Sequence, residues 1–224
     1  AAQGADAYAL LGDFVGYGAD PAWVVDRVRA LVADGALAVQ GNHDLATVQG
    51  PSPEMRLEPR QVIEWTRNQL DDAQIAFLAT LPLTHQTAEV LHVHANAWAP
   101  AGWGYIQSRF DAVRSLHATR ARLTFCGHMH EPRLFHLSRV GRAGDFVPTP
   151  GNPIPLLPQR QWLVIPGSVG QPRDGDPAAC YALHDDVAGC LTFWRVPYDH
   201  ETAGAKIRAA GLPRALGDRL AHGI

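Results

Sequence analysis

The sequence predicts an α/β fold in which two mixed β-sheets are stacked and flanked by helices, an αββα sandwich. In the first 130 residues, short apolar runs alternate with helical patterns, which is typical of a sheet covered by helices. After His130, apolar runs follow one another without long helices between them, which predicts a second, more antiparallel sheet. A length of 224 residues with no internal repeat or low-complexity linker favours a single domain, residues 1–224.

The first half of the chain contains four predicted strands and four predicted helices. The strands are apolar runs at residues 5–11, 36–39, 90–94 and 122–126. The helices are expected at residues 20–34, 60–70, 72–79 and 108–118. The first helix has a defined start, because Asp20 is a favoured N-cap residue and Pro21 suits the first helical position.

The second half is richer in strands. They are predicted at residues 134–137, 162–165, 180–183 and 191–196. Residues 147–158 carry five prolines and predict an irregular surface loop. A helical C-terminal stretch is expected at residues 201–221, broken at 211–213 by Gly-Leu-Pro.

Composition argues against several classes of protein. With 19 basic and 22 acidic residues, the chain has no basic excess, so it is not expected to bind nucleic acid in general. No apolar run approaches the roughly 18–20 residues that span a bilayer, so no membrane partner is expected. Cys126, Cys180 and Cys190 are too few and scattered for a disulfide framework, which favours reduced thiols and a cytoplasmic location. The oligomeric state stays open.

Four polar clusters each follow a predicted strand. They are Gly12-Asp13, Gly41-Asn42-His43-Asp44, His94 and Gly127-His128-Met129-His130. Because ligands of open α/β sheets bind at the carboxyl ends of the strands, we expect these clusters to meet in one crevice. A cluster of carboxylate, amide and imidazole groups is typical of a transition-metal site.

The order and spacing of these clusters resemble the calcineurin-like metallophosphoesterase superfamily. Its pattern runs D-x-H, G-D, G-N-H-[DE], H, G-H-x-H, and the four clusters match all but the first motif, in order. The stretch Gly-Ser-Val-Gly-Gln-Pro-Arg at residues 167–173 is similar to a motif of a small bacterial phosphodiesterase-like branch. The resemblance covers essentially the whole chain and implies a metal-dependent phosphoesterase that uses metal-activated water.

The residue types suit a site with two metal ions. His128 and His130 are two residues apart, so in an extended segment their side chains point to one face, with Cα atoms ~7 Å apart. Each imidazole then serves one of two ions that lie roughly 3.5–4 Å apart. Carboxylate and imidazole ligands suit Mn, Fe, Zn or Ni.

The resemblance assigns a role to each matching residue. Asp13 bridges the two ions, while Asn42, His94 and His128 complete the shell of one ion and His130 binds the other. His43 faces the leaving oxygen as a general acid, oriented by Asp44. Gln171 and Arg173 are candidates for contact with the substrate phosphate, although a turn with a solvated Arg explains them equally well.

The opening D-x-H motif has no match before Asp13, where the titratable side chains are those of Asp6 and Tyr8. The chain begins Ala1-Ala2 rather than with Met and enters an apolar run within a few residues. We therefore expect that a strand carrying D-x-H precedes Ala1 in the intact protein.

Some residues keep two interpretations. His92 lies on the same strand face as His94, but His94 is preferred as a ligand because it is at the strand end. Trp98, Trp103 and Tyr105 are expected to pack in the core or a loop, or else one of them floors a pocket for an aryl or nucleoside group.

The expected activity is hydrolysis of a small phosphate ester, with a phosphodiester favoured over a phosphomonoester. The alternative is a non-catalytic scaffold, because the superfamily includes a retromer subunit that serves mainly in protein assembly. A repair-type nuclease is less favoured, since the basic surface that such an enzyme needs is missing from the composition.

Overall fold

A computed structural model describes residues 3–51 and 55–224. In chain order the elements are β1 Ala9–Leu10, α1 Pro21–Ala33, β2 Leu37–Ala38, α2 Asn42–Gln49, α3 Leu57–Gln69, α4 Asp72–Thr80, β3 Thr84–Gln86, β4 Val90–Val93, α5 Arg109–His117, β5 Leu123–Cys126, β6 Arg133–Ser138, β7 Ala143–Phe146, β8 Ile154–Pro155, β9 Arg160–Ile165, β10 Ala179–Asp185, β11 Cys190–Val196, α6 His200–Ala209 and α7 Arg214–His222. A single 3₁₀ turn at Pro100–Gly102 lies between β4 and α5.

The strands of the described residues form three sheets. The largest has six strands in the order β3-β4-β5-β9-β6-β7, in which β4, β5 and β9 are parallel and their outer neighbours antiparallel. A second sheet, β10-β11-β8, is antiparallel throughout. β1 and β2 form a separate parallel pair. The predicted α/β class with mixed sheets and a more antiparallel second sheet is confirmed.

The six-stranded sheet is buried on both faces, and β9 shows how the sequence achieves this. Successive strand residues point to opposite faces. Leu163 and Ile165 therefore belong to a core cluster with Leu116 of α5. Trp162 and Val164 belong to another cluster, with Leu191 and Phe193 of β11. The layers accordingly run helix, sheet, sheet, and a continuous apolar run in β9 is what a strand covered on both sides requires.

Several element predictions were incomplete. The helix α2 was not predicted, because its first residues, Asn42 and His43, also favour turns after a glycine. The strand β7 has the sequence Ala-Gly-Asp-Phe, which lacks apolar alternation and is held by backbone pairing with β6. β8 lies inside the predicted irregular loop at 147–158, and β3 was also not predicted.

Elsewhere the bounds shift by a few residues. The strands predicted at 5–11 and 36–39 shorten to β1 and β2, with two paired residues each. The helix predicted at 60–70 begins earlier, at Leu57. The predicted break at 211–213 separates α6 from α7.

The layered core makes Leu163 a sensitive position, because its side chain has 0% exposure at the centre of β9. We expect Leu163→Ala to lower the free energy of unfolding by about 2–5 kcal/mol, through lost burial and the cavity left behind. Val187→Ala is the control, since Val187 is 95% exposed and its loss is expected to cost less than about 0.5 kcal/mol. Urea unfolding of both variants measures the difference. Equal stabilities would contradict the layered core.

Candidate metal centre

Residues of the four polar clusters follow the ends of strands and lie close together, as the sequence predicts. Asp13 lies three residues after β1, and Asn42 opens α2 shortly after β2. His94 directly follows β4, and His128 follows β5. Asp13 and His128 have left-handed φ angles of 56° and 62°. Such a conformation costs a non-glycine residue of order 1–3 kcal/mol and persists only where the surrounding contacts enforce it.

Three of the predicted ligands form a tight group. The ligand atoms of Asp13, His94 and His128 all lie within 4.8 Å of one another. His94 Nε2 is 3.3 Å from Asp13 Oδ2 and 3.0 Å from His128 Nδ1. Asn42 adds a fourth atom, because its Oδ1 lies 3.2 Å from the same His94 nitrogen. The side chains of His94 and Asp13 are only 2% and 5% exposed, so water does little to separate these groups.

Backbone carbonyls set the tautomer of each histidine in the group. His94 Nδ1 is 2.6 Å from Leu11 O, and His128 Nε2 is 3.0 Å from Trp103 O. A carbonyl oxygen only accepts, so these two nitrogens carry the hydrogen and donate it. In the neutral form of each ring, the opposite nitrogens, His94 Nε2 and His128 Nδ1, carry lone pairs and lie 3.0 Å apart. A backbone partner that fixes the far nitrogen is the arrangement found at metal-binding histidines.

The pKa values reflect this crowding. Burial and, to a smaller extent, the charge of the neighbouring His94 lower the pKa of His128 to about 4. Burial acts on His94 in the same direction, but the hydrogen bond and the charge of Asp13 outweigh it and raise the pKa of His94. Burial of the Asp13 carboxylate acts to raise its pKa, but the hydrogen bond and charge of His94 outweigh burial and hold the pKa of Asp13 low. Asp13 therefore stabilises a positive charge at the His94 nitrogen that faces it.

Asp44 braces the loops that carry the ligands. Its buried carboxylate accepts hydrogen bonds from the backbone N–H groups of Gly41, Asp13 and Phe14, each at 2.8 Å. Burial, together with the charge of Asp13, raises the pKa of Asp44 to about 7. Gly41 must lack a side chain here, because a Cβ would overlap the Asp13 carboxylate and backbone.

The expected orientation of His43 by Asp44 needs correction. The Asp44 carboxylate contacts backbone amides of the two loops, and His43 Nδ1 is buried with no hydrogen-bond partner among the described residues. Instead, the His43 backbone N–H donates to Asp13 Oδ1 at 2.9 Å, and its ring lies 4.3 Å from that of Tyr17. Burial lowers the pKa of His43. Asp44 thus positions the backbone of Gly41, Asp13 and Phe14.

His130 lies beside this group, outside the set of three. Its Nδ1 is 2.8 Å from Gln171 O and donates to it, so Nε2 carries the lone pair. Burial, followed by the charge of Arg173, lowers the pKa of His130 to about 4. Its φ angle of 62° is left-handed, like that of His128. His128 and His130 are therefore not in the extended conformation assumed from the sequence.

Gln171 and Arg173 line the side of the site next to His130. Arg173 N donates to His130 O at 3.2 Å, and Arg173 Nη2 lies 3.2 Å from Gln171 Oε1. Gln171 is 2% exposed, and its Nε2 has no hydrogen-bond partner within residues 3–51 and 55–224. In that same part of the chain no carboxylate forms an ion pair with Arg173. Both side chains therefore retain donor capacity.

The aromatic residues after His94 divide between core and site. Trp98 packs against the core cluster under Arg114. Tyr105 stacks on His128, with ring centroids 4.2 Å apart, and Trp103 meets the ring of His94 edge-on. His92 stacks on Phe125 instead of joining the ligand group, as the preference for His94 implied.

Sequence reasoning missed two contributors to the site. Tyr17 contacts Asp13, His43 and His130, but it lies in the loop after β1 without any motif that marked it. The carbonyl of Trp103, which receives the His128 hydrogen, is a backbone group and leaves no trace in the sequence. A φ angle of 52° at Trp103 marks the turn that aims this carbonyl.

Cys126, Cys180 and Cys190 are free thiols, and the first two are buried, in line with the cysteine prediction. Across the described residues, no helix combines the length and apolar character needed to cross a membrane.

Comparison with known proteins places the chain in a family. The model of the calcineurin-like phosphoesterase superfamily domain matches residues 1–187. The uncharacterized protein MJ0912 of Methanocaldococcus jannaschii is 34% identical over 216 residues, which cover 94% of this chain and 84% of that protein.

Solved structures agree. A crystal structure of a metallophosphoesterase from Sphaerobacter thermophilus is similar with a TM-score of 0.82 and 35% identity, covering 96% of this chain and 86% of the other. The hypothetical protein PH1004 from Pyrococcus horikoshii shares the fold, with a TM-score of 0.76 at 18% identity and coverage of 98% and 86%. The chain belongs to the calcineurin-like phosphoesterase superfamily and is, in general terms, a metal-dependent phosphoesterase.

Proposed function

We propose that the protein hydrolyses a small phosphodiester, or less readily a phosphomonoester, with two divalent transition-metal ions. One observation carries the proposal. Asp13, Asn42, His94 and His128 bring four potential ligand atoms close together, and in their neutral forms both histidines carry a lone pair on the nitrogen that faces the group. Such a set of lone pairs is stabilised by a cation.

The donor set fits a transition metal. Asp13, Asn42, His94 and His128 would hold one ion, and Asp13 together with His130 would contribute to the other. Oxygen and imidazole donors suit Mn, Fe, Zn or Ni, and manganese is our first choice for the titration below. When bound, such ions polarise phosphoryl oxygens and lower the pKa of water from 15.7 towards about 7.

The remaining side chains have distinct tasks. His43 donates a proton to the departing oxygen, a step typically worth ~10²–10⁴-fold in rate. Arg173 binds the phosphate through its planar guanidinium. Gln171 Nε2, which has no hydrogen-bond partner among the described residues, donates to a phosphoryl oxygen. Asp44 holds the backbone of Asp13 and of α2 in register, so its contribution to catalysis is indirect.

Residues 1–224 are proposed to act as one domain. The C-terminal helices contribute Ile207 and Leu220 to an apolar cluster with Val62 of α3. Lys206 Nζ of α6 also lies 2.8 Å from Asp20 Oδ2, at the start of α1. These contacts tie the end of the chain to the helices around the site. The cytoplasmic location stays a prediction, supported by the cysteine pattern.

Replacing one ligand provides the test of metal binding. We expect His94→Ala to weaken Mn²⁺ binding at least about 10-fold, because it removes a nitrogen from the centre of the group. His92→Ala is the matched control, as it removes a histidine two residues away that stacks on Phe125. Calorimetric titration with Mn²⁺ compares the three proteins. Equal affinities would contradict the site, and a wild type that takes up no metal would fit the scaffold alternative.

Hydrolysis of two methyl aryl phosphodiesters tests His43. We expect His43→Ala to lose ~10²-fold or more in kcat with a phenyl leaving group, which needs a proton as it departs. The loss should be smaller with p-nitrophenyl, a better leaving group, while Mn²⁺ content stays at the wild-type level. His117→Ala, at an exposed position that ends α5, is the control. The same loss for both esters would contradict proton donation by His43.

The substitution Asp44→Asn tests whether the Asp44 carboxylate stabilises the fold through its backbone hydrogen bonds, independently of catalysis. An amide offers one acceptor and two N–H donors, so it faces three backbone N–H groups with too few acceptors. We expect the metal-free variant to lose about 1–3 kcal/mol of stability in urea unfolding. Asp186→Asn, in an exposed turn, should change stability by less than about 0.5 kcal/mol. An unchanged Asp44 variant would show that the brace contributes nothing.

A further inference from the structure

Tyr17 lies at the junction of the metal ligands, the proposed acid and the proposed phosphate-binding side chain. Its hydroxyl is 3.4 Å from Asp13 Oδ2 and can donate to it. Its ring centroid lies 4.3 Å from that of His43 and 5.2 Å from that of His130. The guanidinium of Arg173 sits over the same ring at 5.9 Å, with Nη2 3.5 Å from the hydroxyl.

The His43 ring is held by packing. Its Nδ1 is buried and has no hydrogen-bond partner in the described part of the chain. Gly16 forms one wall, because a Cβ added there would overlap the imidazole, and this glycine has a φ angle of 93°. Tyr17 forms the next wall, tilted by 38° against the imidazole. Gly16 and Tyr17 therefore restrict the rotation of the His43 ring by packing against it. A carboxylate hydrogen-bonded to Nδ1 would restrict the ring in a different way.

The apolar core does not depend on Tyr17. The loop after β1 is anchored by Val15, which is buried, and by Phe14, which packs against the same cluster. Tyr17 is half-buried, and its ring contacts are with His43, His130 and Arg173. Its substitution is thus expected to change the site more than the stability of the fold.

We propose that Tyr17 is a positioning residue whose ring holds the His43 imidazole towards the leaving oxygen. The inference rests on the proposed phosphoesterase function and assigns the orientation of His43 to an aromatic ring. The hydroxyl contacts with Asp13 and Arg173 are secondary in this arrangement, because both are long, at 3.4 and 3.5 Å. The ring and the hydroxyl can therefore be separated by substitution.

The two methyl aryl phosphodiesters, with bound Mn²⁺, also test Tyr17. Tyr17→Leu removes the aromatic wall, and we expect kcat for the phenyl ester to fall about 10- to 100-fold, with a much smaller fall for the p-nitrophenyl ester. KM for either ester should change less than kcat. Tyr17→Phe keeps the ring, so both rates should stay within about 3-fold of wild type. Combining Tyr17→Leu with His43→Ala should give no further loss beyond His43→Ala alone.

Each result has one meaning. A loss in Tyr17→Leu that is equal for both esters, or that adds fully to the loss in His43→Ala, would overturn the proposal. A large loss in Tyr17→Phe would also overturn it, by moving the effect to the hydroxyl, and this variant decides the matter if Tyr17→Leu fails to fold. Wild-type activity distinguishes the role of Tyr17 from the proposed function on which it rests. If the wild-type protein hydrolyses neither ester, the proposed function itself is contradicted.

Discussion

The Asp44 carboxylate joins the two loops on which the candidate metal centre depends. Three backbone N–H groups from both loops converge on it, and it is fully buried. Burying a carboxylate costs several kcal/mol unless hydrogen bonds replace its water. Here the bonds also fix Asp13 in a left-handed conformation. The same contact therefore satisfies a buried charge and sets the position from which Asp13 reaches His94.

Much of the layered architecture could be predicted, because buried strands leave apolar runs that are read directly from the sequence. β9 is of this kind, with side chains in core clusters on both faces, and β11 adds Leu191 and Phe193 to one of these clusters. β7 could not be predicted, because its Ala-Gly-Asp-Phe sequence has no apolar period and its pairing with β6 is made by backbone groups. α2 was missed for a related reason, since Asn42 and His43 favour turns as readily as a helix start.

Motif spacing predicted which side chains meet, and tertiary contacts decided how they meet. Asp13, Asn42, His94 and His128 come together as expected from the strand ends. The extended geometry assumed for His128 and His130 was wrong, since both have left-handed φ angles. Tyr17 could not be found from the sequence, because its position is set by a loop that wraps around His43.

The charge count of the donor set explains why a neutral amide sits among these ligands. Without a cation, the Asp13 carboxylate stabilises the protonated form of His94, which raises the pKa of His94 and lowers that of Asp13. With both histidines neutral, Asp13 supplies the only negative charge within Asp13, Asn42, His94 and His128. A divalent ion in that set would keep a net positive charge, which would attract an anionic phosphate ester. A carboxylate at Asn42 would cancel this attraction, so the amide keeps the donor set suited to both the metal and an anionic substrate.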